Sequence, residues 1–250
     1  MNSRRSELML LTLLVAAGVV LYGIRWALFP AASLHNEMWR FLIGDVAFLF
    51  LQVALVTLVI DRMLRNRERR AMRRKLNMVI GAFFSEIGTR LLGRLAQADL
   101  AVDEVRPDLL PQQNWTAADY AAAKSALRAH HPRIDITACD LYELKAILED
   151  EKRFVLGLLG NQALLEHEEF SELLWAVTHL AEELSVRDSL DDIPTPDAIH
   201  ITGDVKRVYT LLVQEWLEYV RHLQVQYPYL FSLAVRTNPL DPTARAEVSG

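Results

Sequence analysis

The chain has 250 residues, of which 52% are hydrophobic, and its formal net charge is -5 at pH 7. A hydrophobic share above that of typical soluble domains suggests a membrane-embedded part. The single cysteine, Cys139, excludes an intrachain disulfide framework. Charge is divided unevenly: residues 1–75 hold 12 Lys or Arg against 5 Asp or Glu, whereas residues 76–250 hold 15 against 27. This division predicts two parts in different electrostatic surroundings.

Two long apolar stretches, residues 8–29 and 41–60, lie near the start of the chain. Each is long enough for a helix to cross the roughly 30 Å hydrocarbon core of a membrane. With the connection between them they predict a transmembrane hairpin over residues 1–60. A cleaved signal peptide is the alternative interpretation of the first stretch, with a weak cleavage site at Pro30–Ser33. That stretch, however, exceeds the roughly 7–15 apolar residues that signal peptides use.

Positive charges predict how the hairpin is oriented. Arg4 and Arg5 precede the first span, and Arg40 is the only basic residue of the connection. A basic run follows the second span: Arg62, Arg65, Arg67, Arg69, Arg70, Arg73, Arg74 and Lys75. Because Lys and Arg are retained on the cytoplasmic side, we expect both termini in the cytoplasm.

The position of the basic run also bears on its partner. Directly after a span, it is expected to contact the membrane surface and attract anionic lipid. Basic stripes often bind nucleic acid, but the acidic remainder of the chain would repel it. The sequence therefore predicts a lipid partner and no nucleic acid.

Each span carries one ionisable residue, Arg25 in the first and Asp45 in the second. In a hairpin both would lie at a similar depth on opposite helices, so an intramembrane ion pair is predicted. The alternative is that each side chain extends separately to the outer headgroups. A channel or transporter subunit would need more than this pair, because two spans cannot enclose a pore without forming an oligomer.

Residues 61–98 are predicted to continue the second span as a basic juxtamembrane helix or stalk. Apolar residues recur at spacings of three and four from Leu64 to Leu95, apart from one longer gap, although Gly81, Gly88 and Gly93 weaken an unbroken rod. Residues 99–115 are predicted to be a loop that separates this stalk from the next domain.

Residues 99–240 are predicted to form an acidic, all-α cytoplasmic domain of four or five helices. Thr116 and Asp119 resemble a capping box. Thr137 or Asp140 is expected to cap a helix that stops at Gly160. A strongly apolar helix is expected from Asp204 to about residue 226, and residues 241–250 are expected to be a disordered tail.

Polar faces on two of these helices raise the question of metal binding. Glu168, Glu172, His179 and Glu183 share one face, and Glu215, Glu218 and His222 share another. The candidate ligands are His179, Glu182, Glu218 and His222, but ordinary i,i+4 contacts on a solvated face are the preferred interpretation. The sequence contains no glycine-rich phosphate loop, nucleophile elbow or paired cysteine motif, so no catalytic residue and no cofactor is predicted.

Three segments resemble those of an uncharacterised group of bacterial two-span membrane proteins: KLNMVIGAFFSEIGTRLL (75–92), LLEHEEFSELLWAVTHLAEEL (164–184) and YPYLFSLAVRTNP (227–239). The resemblance implies a bacterial plasma membrane and contains no catalytic motif. The expected function is a non-enzymatic interaction or signal-relay module with a protein partner, and with homo-oligomerisation left open. The alternatives are a helical-bundle enzyme, possibly metal-dependent, and a subunit of an oligomeric channel or transporter.

Overall fold

The computed structural model describes residues 2–28, 34–162, 164 and 167–247. The chain divides into two compact units, an N-terminal unit of Met1–Ala71 and a C-terminal unit of Met72–Gly250. The described residues are helical, apart from turns and one isolated antiparallel bridge between Asp99 and Ile134. The all-α prediction is therefore confirmed.

The N-terminal unit contains helix α1, Asn2–Leu28, and the first part of helix α2, Leu34–Phe83. The two helices meet through small residues. A Cβ on Gly18 of α1 would lie 3.3 Å from both the Ala47 carbonyl oxygen and Leu51 Cγ of α2. Ala47 and Ala54 are buried on the same side of α2.

One described helical run, Gly44–Gln97, is long and apolar enough to cross a membrane, judged by length and composition alone. The mean hydropathy of its apolar window is 2.0, and 11% of that window is buried. In α1 the described apolar segment is shorter, Thr12–Arg25.

After α2 the chain makes one π-helical turn, Phe84–Gly88, and continues as α3, Thr89–Gln97. Both the backbone N–H and the hydroxyl of Thr89 donate to the carbonyl oxygen of Phe84, five residues earlier. Within the C-terminal unit, Phe83 and Phe84 are almost fully buried, as are Ile87, Leu91 and Leu95. Residues 72–98 therefore belong to the core of the C-terminal unit, which corrects the predicted stalk and its boundary at residue 98.

The remaining helices complete the C-terminal unit. They are α4 (Val102–Val105), α5 (Ala117–Ala129), α6 (Leu141–Asp150), α7 (Lys152–Leu159), α8 (Glu168–Ser185), α9 (Thr195–Gln226) and α10 (Pro228–Arg236), with short 3-10 turns at Arg106–Leu109 and Ile136–Ala138. The long helix α9 is central, because it packs against α3, α5, α8 and α10.

An aromatic cluster fills the centre of this unit. The Phe84 ring stacks on Tyr219, with ring centroids 4.9 Å apart, and meets Trp216 edge-on at 5.4 Å. Phe83 makes an edge-on contact with Phe170 of α8, also at 5.4 Å. The end of α2 is thereby packed against α8, and the π-helical turn that follows it is packed against α9.

Local capping confirms part of the predicted helix pattern. The Thr116 backbone N–H donates to Asp119 Oδ2 at 2.6 Å, which forms the predicted capping box at the start of α5. Asp140, rather than Thr137, caps α6 by accepting a hydrogen bond from the backbone N–H of Glu143 at 3.0 Å.

Two helix boundaries differ from the prediction. The single helix expected up to Gly160 is divided at Glu151 into α6 and α7. Helix α9 begins at Thr195 rather than Asp204, because Pro196 and Asp197 suit a first helical turn and Gly203 is tolerated inside the helix.

The predicted disordered tail, residues 241–250, is described only as far as residue 247. Asp241 Oδ1 accepts hydrogen bonds from both the backbone N–H and the hydroxyl of Thr243, at 2.8 and 2.7 Å. The first residues of this segment therefore form a hydrogen-bonded turn.

Candidate functional site

A cavity of about 580 Å³ opens in the C-terminal unit between α2, α5 and α9, with the start of α8 at its rim. Its walls carry charges of both signs. The residues that matter for its chemistry are Lys124, Arg128, Glu169, Glu215, Glu218 and His222. A concave site with converging ionisable groups is the usual setting for ligand binding or catalysis.

Glu215 is the most unusual group in this cavity. Glu215 is only 5% exposed, and its Oε2 atom has no hydrogen-bond partner among the described residues. Burial raises the pKa of Glu215 to about 7; the negative charge of Glu169 adds to this effect, and the positive charge of Lys124 opposes it. A carboxyl group with this pKa can hold or release a proton near neutral pH.

Two of the sequence-predicted metal candidates, Glu218 and His222, line the same cavity. Glu218 forms ion pairs with Lys124 and with Arg221. His222 Nδ1 lies 3.1 Å from the side-chain amide nitrogen of Asn77, and burial lowers the pKa of His222. Both side chains are therefore engaged with neighbours inside the cavity.

A second cluster lies where α8 packs against the first half of α9. It is formed by His179, Glu183, His200 and Asp204. The His179 Nε2 atom is 3.5 Å from Asp204 Oδ2 and 3.9 Å from Glu183 Oε1. The His200 Nε2 atom is 3.4 Å from Asp204 Oδ2 and 3.6 Å from Glu183 Oε1. One ligand atom each of His179, Glu183 and His200 lies within 4.8 Å of the other two, and Asp204 Oδ2 lies beside both histidines.

This geometry corrects the predicted set of metal candidates. His179 belongs to the second cluster, whereas Glu182 is exposed and lies outside the group of possible ligands found among the described residues. Glu218 and His222 lie elsewhere, since Asp204 and Glu218 are separated by about 21 Å along α9. The candidates that were predicted on two separate helix faces therefore lie at two separate places in the C-terminal unit.

Sequence reasoning missed His200 and Asp204 because it began α9 too late. With the helix starting at Asp204, His200 would have been in a loop, and the i,i+4 relation between the two was hidden. The Thr195-Pro196-Asp197 signal for a helix start could have revealed it.

The residues predicted in the N-terminal unit have a different arrangement. The Arg25 guanidinium carbon lies 3.5 Å from the position that a Cβ on Gly44 would occupy, and 5.9 Å from the centre of the Tyr22 ring. Asp45 is exposed on the next position around α2. The described side chains therefore bring Arg25 to the level of Asp45 without forming the predicted ion pair.

The basic run lies entirely on α2. Five of its side chains are exposed: Arg62, Arg67, Arg73, Arg74 and Lys75. Arg65 forms an ion pair with Asp61 one turn earlier. The side chains of Arg69 and Arg70 lie outside the part of the chain that the structure describes.

Comparisons with known proteins match both units. Residues 2–64 match the family model described as MJ1433, N-terminal helical domain, and residues 72–236 match the model described as Uncharacterized protein MJ1433, C-terminal helical domain. The first match ends at residue 64 and the second begins at residue 72, so the boundary between the two compact units separates them. No solved structure is significantly similar to the chain.

A full-length relative is also found. The chain is 39% identical over 241 residues to Uncharacterized protein MJ1433 of Methanocaldococcus jannaschii, with 96% of each chain covered. This relative is archaeal, so the comparison does not support the bacterial setting implied by the resemblance. The chain belongs to the MJ1433 family of helical proteins.

Proposed function

We propose that the protein is a membrane-anchored, non-enzymatic interaction or signal-relay module. Its N-terminal hairpin spans the cell membrane, and its acidic helical domain is held at the cytoplasmic face. The observation that carries this proposal is the distribution of side-chain sizes in the N-terminal unit.

In that unit small residues lie inside and large apolar residues lie outside. Ala47 and Ala54 are buried, whereas Leu13, Phe48 and Leu55 are 69, 58 and 63% exposed. In water, leaving such a side chain exposed forfeits about 1.5–3 kcal/mol relative to burying it. A lipid environment removes this cost, and close contact through Gly and Ala is the way in which helices pack in membranes.

The basic run supports the proposed orientation. Its exposed cations follow the second span directly, within reach of the headgroups, where each Lys or Arg contributes about 1 kcal/mol of attraction to anionic lipid. Arg40 is the only Lys or Arg in the connection between the spans. This asymmetry favours a cytoplasmic location for the C-terminal unit.

The charge of the C-terminal unit suggests its partner. Residues 76–250 contain 27 acidic and 15 basic residues, so this part is repelled by nucleic acid and by anionic lipid alike. A basic protein is the partner that this charge would attract.

Cysteine labelling tests the proposed topology. In a Cys139→Ala background, Ser33→Cys places a thiol between the spans, and Ser125→Cys places one on an exposed position of α5. A membrane-impermeant maleimide applied to intact cells should label the first variant and not the second. After lysis both should be labelled. Equal labelling of the two variants in intact cells would contradict the orientation.

A helical-bundle enzyme is the second candidate, and Glu215 is the observation that favours it. A general base or acid works best when its pKa is close to the working pH. The raised pKa of about 7 and the adjoining cavity meet that requirement. The test is enzymatic turnover by the purified protein. Loss of turnover in the Glu215→Gln variant, with turnover kept in the exposed Glu172→Gln variant, would establish this alternative.

A further inference from the structure

We propose that His179, Glu183, His200 and Asp204 form a binding site for one divalent first-row transition-metal ion, with Zn²⁺ as the probe. This site is separate from the Glu215 cavity and does not depend on membrane anchoring. The inference rests on ligand type, distances and an unpaired buried oxygen.

Helix geometry brings the four side chains together. His179 and Glu183 are four residues apart on α8, and His200 and Asp204 are four residues apart on α9. Residues at this spacing lie on the same face of a helix, one turn apart. Because α8 and α9 pack against each other, the two pairs face one another.

The distances between donor atoms suit a metal ion. Zinc binds histidine nitrogen and carboxylate oxygen at about 2.0–2.2 Å, so neighbouring ligands in a tetrahedral site lie about 3.4 Å apart. The four distances that join an imidazole Nε2 to a carboxylate oxygen run from 3.4 to 3.9 Å. His179, Glu183 and His200 offer ligand atoms within 4.8 Å of one another, and an adjustment of the Asp204 side chain would bring its Oδ2 to the same ion.

A second, independent observation points to a cation at this position. The Asp204 side chain is only 8% exposed, and its Oδ2 atom has no hydrogen-bond partner among the described residues. A buried carboxylate oxygen without a donor is energetically costly. A cation at the centre of the cluster would compensate it.

A neighbouring arginine orients the Glu183 carboxylate toward the two histidines. Arg187 Nη1 donates to Glu183 Oε2 at 2.8 Å, which leaves Oε1 to face the two histidines. Arg187 is itself fixed by Asp197, whose Oδ1 accepts from Nη2 at 2.6 Å. Such support of a ligand by a second residue is common in metal sites.

The ligand set also indicates which ions fit. Two carboxylates and two neutral imidazoles carry a charge that one divalent cation balances. Imidazole suits zinc and other transition metals, whereas Ca²⁺ and Mg²⁺ prefer oxygen ligands throughout. The His179 and His200 side chains are about half exposed, so water has access to complete the coordination of the ion.

Metal binding by the full-length protein, purified without a histidine tag and stripped with chelator, tests the proposal. We expect about one Zn²⁺ per chain, and Co²⁺ should produce the visible absorption of a low-coordinate nitrogen and oxygen site. The His200→Ala and Asp204→Asn variants should bind at least tenfold more weakly. His131→Ala, which removes an exposed histidine elsewhere, should bind as the parent protein does.

A stability measurement separates loss of the site from loss of the fold. Zn²⁺ should raise the melting temperature of the parent protein and of His131→Ala, and it should not raise that of helical, folded Asp204→Asn. The proposal is overturned if the parent protein binds no Zn²⁺, or if His200→Ala and Asp204→Asn bind it as tightly as the parent.

Discussion

At the residue scale, the buried carboxylates of the C-terminal unit differ in how fully they are compensated. Asp99 is 2% exposed and accepts hydrogen bonds from the backbone N–H groups of Ala101 and Arg133, at 3.0 and 2.9 Å. Its second oxygen lies 2.7 Å from His130 Nε2. Glu215, by contrast, leaves Oε2 without a partner among the described residues. The complete hydrogen bonding of Asp99 indicates a structural role, whereas the unpaired oxygen of Glu215 indicates a candidate functional site.

Glu215→Gln is predicted to change stability in a pH-dependent way. Because the pKa of Glu215 is raised to about 7 in the folded protein, the folded state holds its proton more tightly than the unfolded state. The parent protein therefore loses stability as pH rises from about 4.5 to about 7, and the loss then levels off. Glutamine removes this penalty, so the variant should gain up to about 3 kcal/mol over the parent at pH 8 and much less at pH 5.

Urea unfolding of the full chain at these two pH values checks the prediction. The exposed Glu172→Gln variant is the control and should match the parent at both pH values. A difference between Glu215→Gln and the parent that does not depend on pH would mean that Glu215 has an ordinary pKa.

At the element scale, the π-helical turn explains why one glycine is required. A Cβ on Gly88 would lie 2.6 Å from Phe83 Cε1 and 2.7 Å from Phe84 Cδ1. Both rings are packed in the aromatic cluster and cannot move freely. The turn thus brings two large rings against the backbone at a position that only glycine fits.

Gly88→Ala is predicted to destabilise the C-terminal unit by about 1–3 kcal/mol, which is the usual cost of forcing an extra methyl into a packed core. Gly157→Ala provides the matched control, because nothing lies within 4 Å of the added Cβ in helix α7. That variant should be neutral or up to about 1 kcal/mol more stable. Thermal unfolding of both variants distinguishes them, and equal effects would contradict the close packing around Gly88.

Sequence patterns predicted some elements and missed others for identifiable reasons. The capping box at Thr116 is local, so four residues were enough to predict it. The π-helical turn was not predicted. Its hydrogen bond joins residues five positions apart, but a single turn of this kind leaves the three- and four-residue spacing of apolar positions almost unchanged. The start of α9 was misplaced because Pro196 and Asp197 were not recognised as residues of its first turn. The cluster of His179, Glu183, His200 and Asp204 depends on the contact between α8 and α9, which a single sequence does not reveal.

At the scale of the whole molecule, the two units have opposite surface chemistry. The N-terminal unit exposes large apolar side chains and contains the first five residues of the basic run, whereas the C-terminal unit is acidic and buries most of its large apolar residues. The same division separates the two family matches. Composition predicted this contrast. The point of division at residues 71 and 72 required the structure, because the apolar residues after it belong to a core and not to a stalk.

Extraction of cell membranes tests whether the N-terminal hairpin is embedded in the membrane. Membranes containing the full chain are washed first with 1 M salt and then with alkaline carbonate. High salt screens attraction between the basic run and anionic lipid, and carbonate releases proteins that are bound only at the surface. We predict that the protein stays in the membrane pellet after both washes and dissolves only in detergent. Release by either wash would show that the protein is bound only at the membrane surface and that the hairpin does not span the membrane.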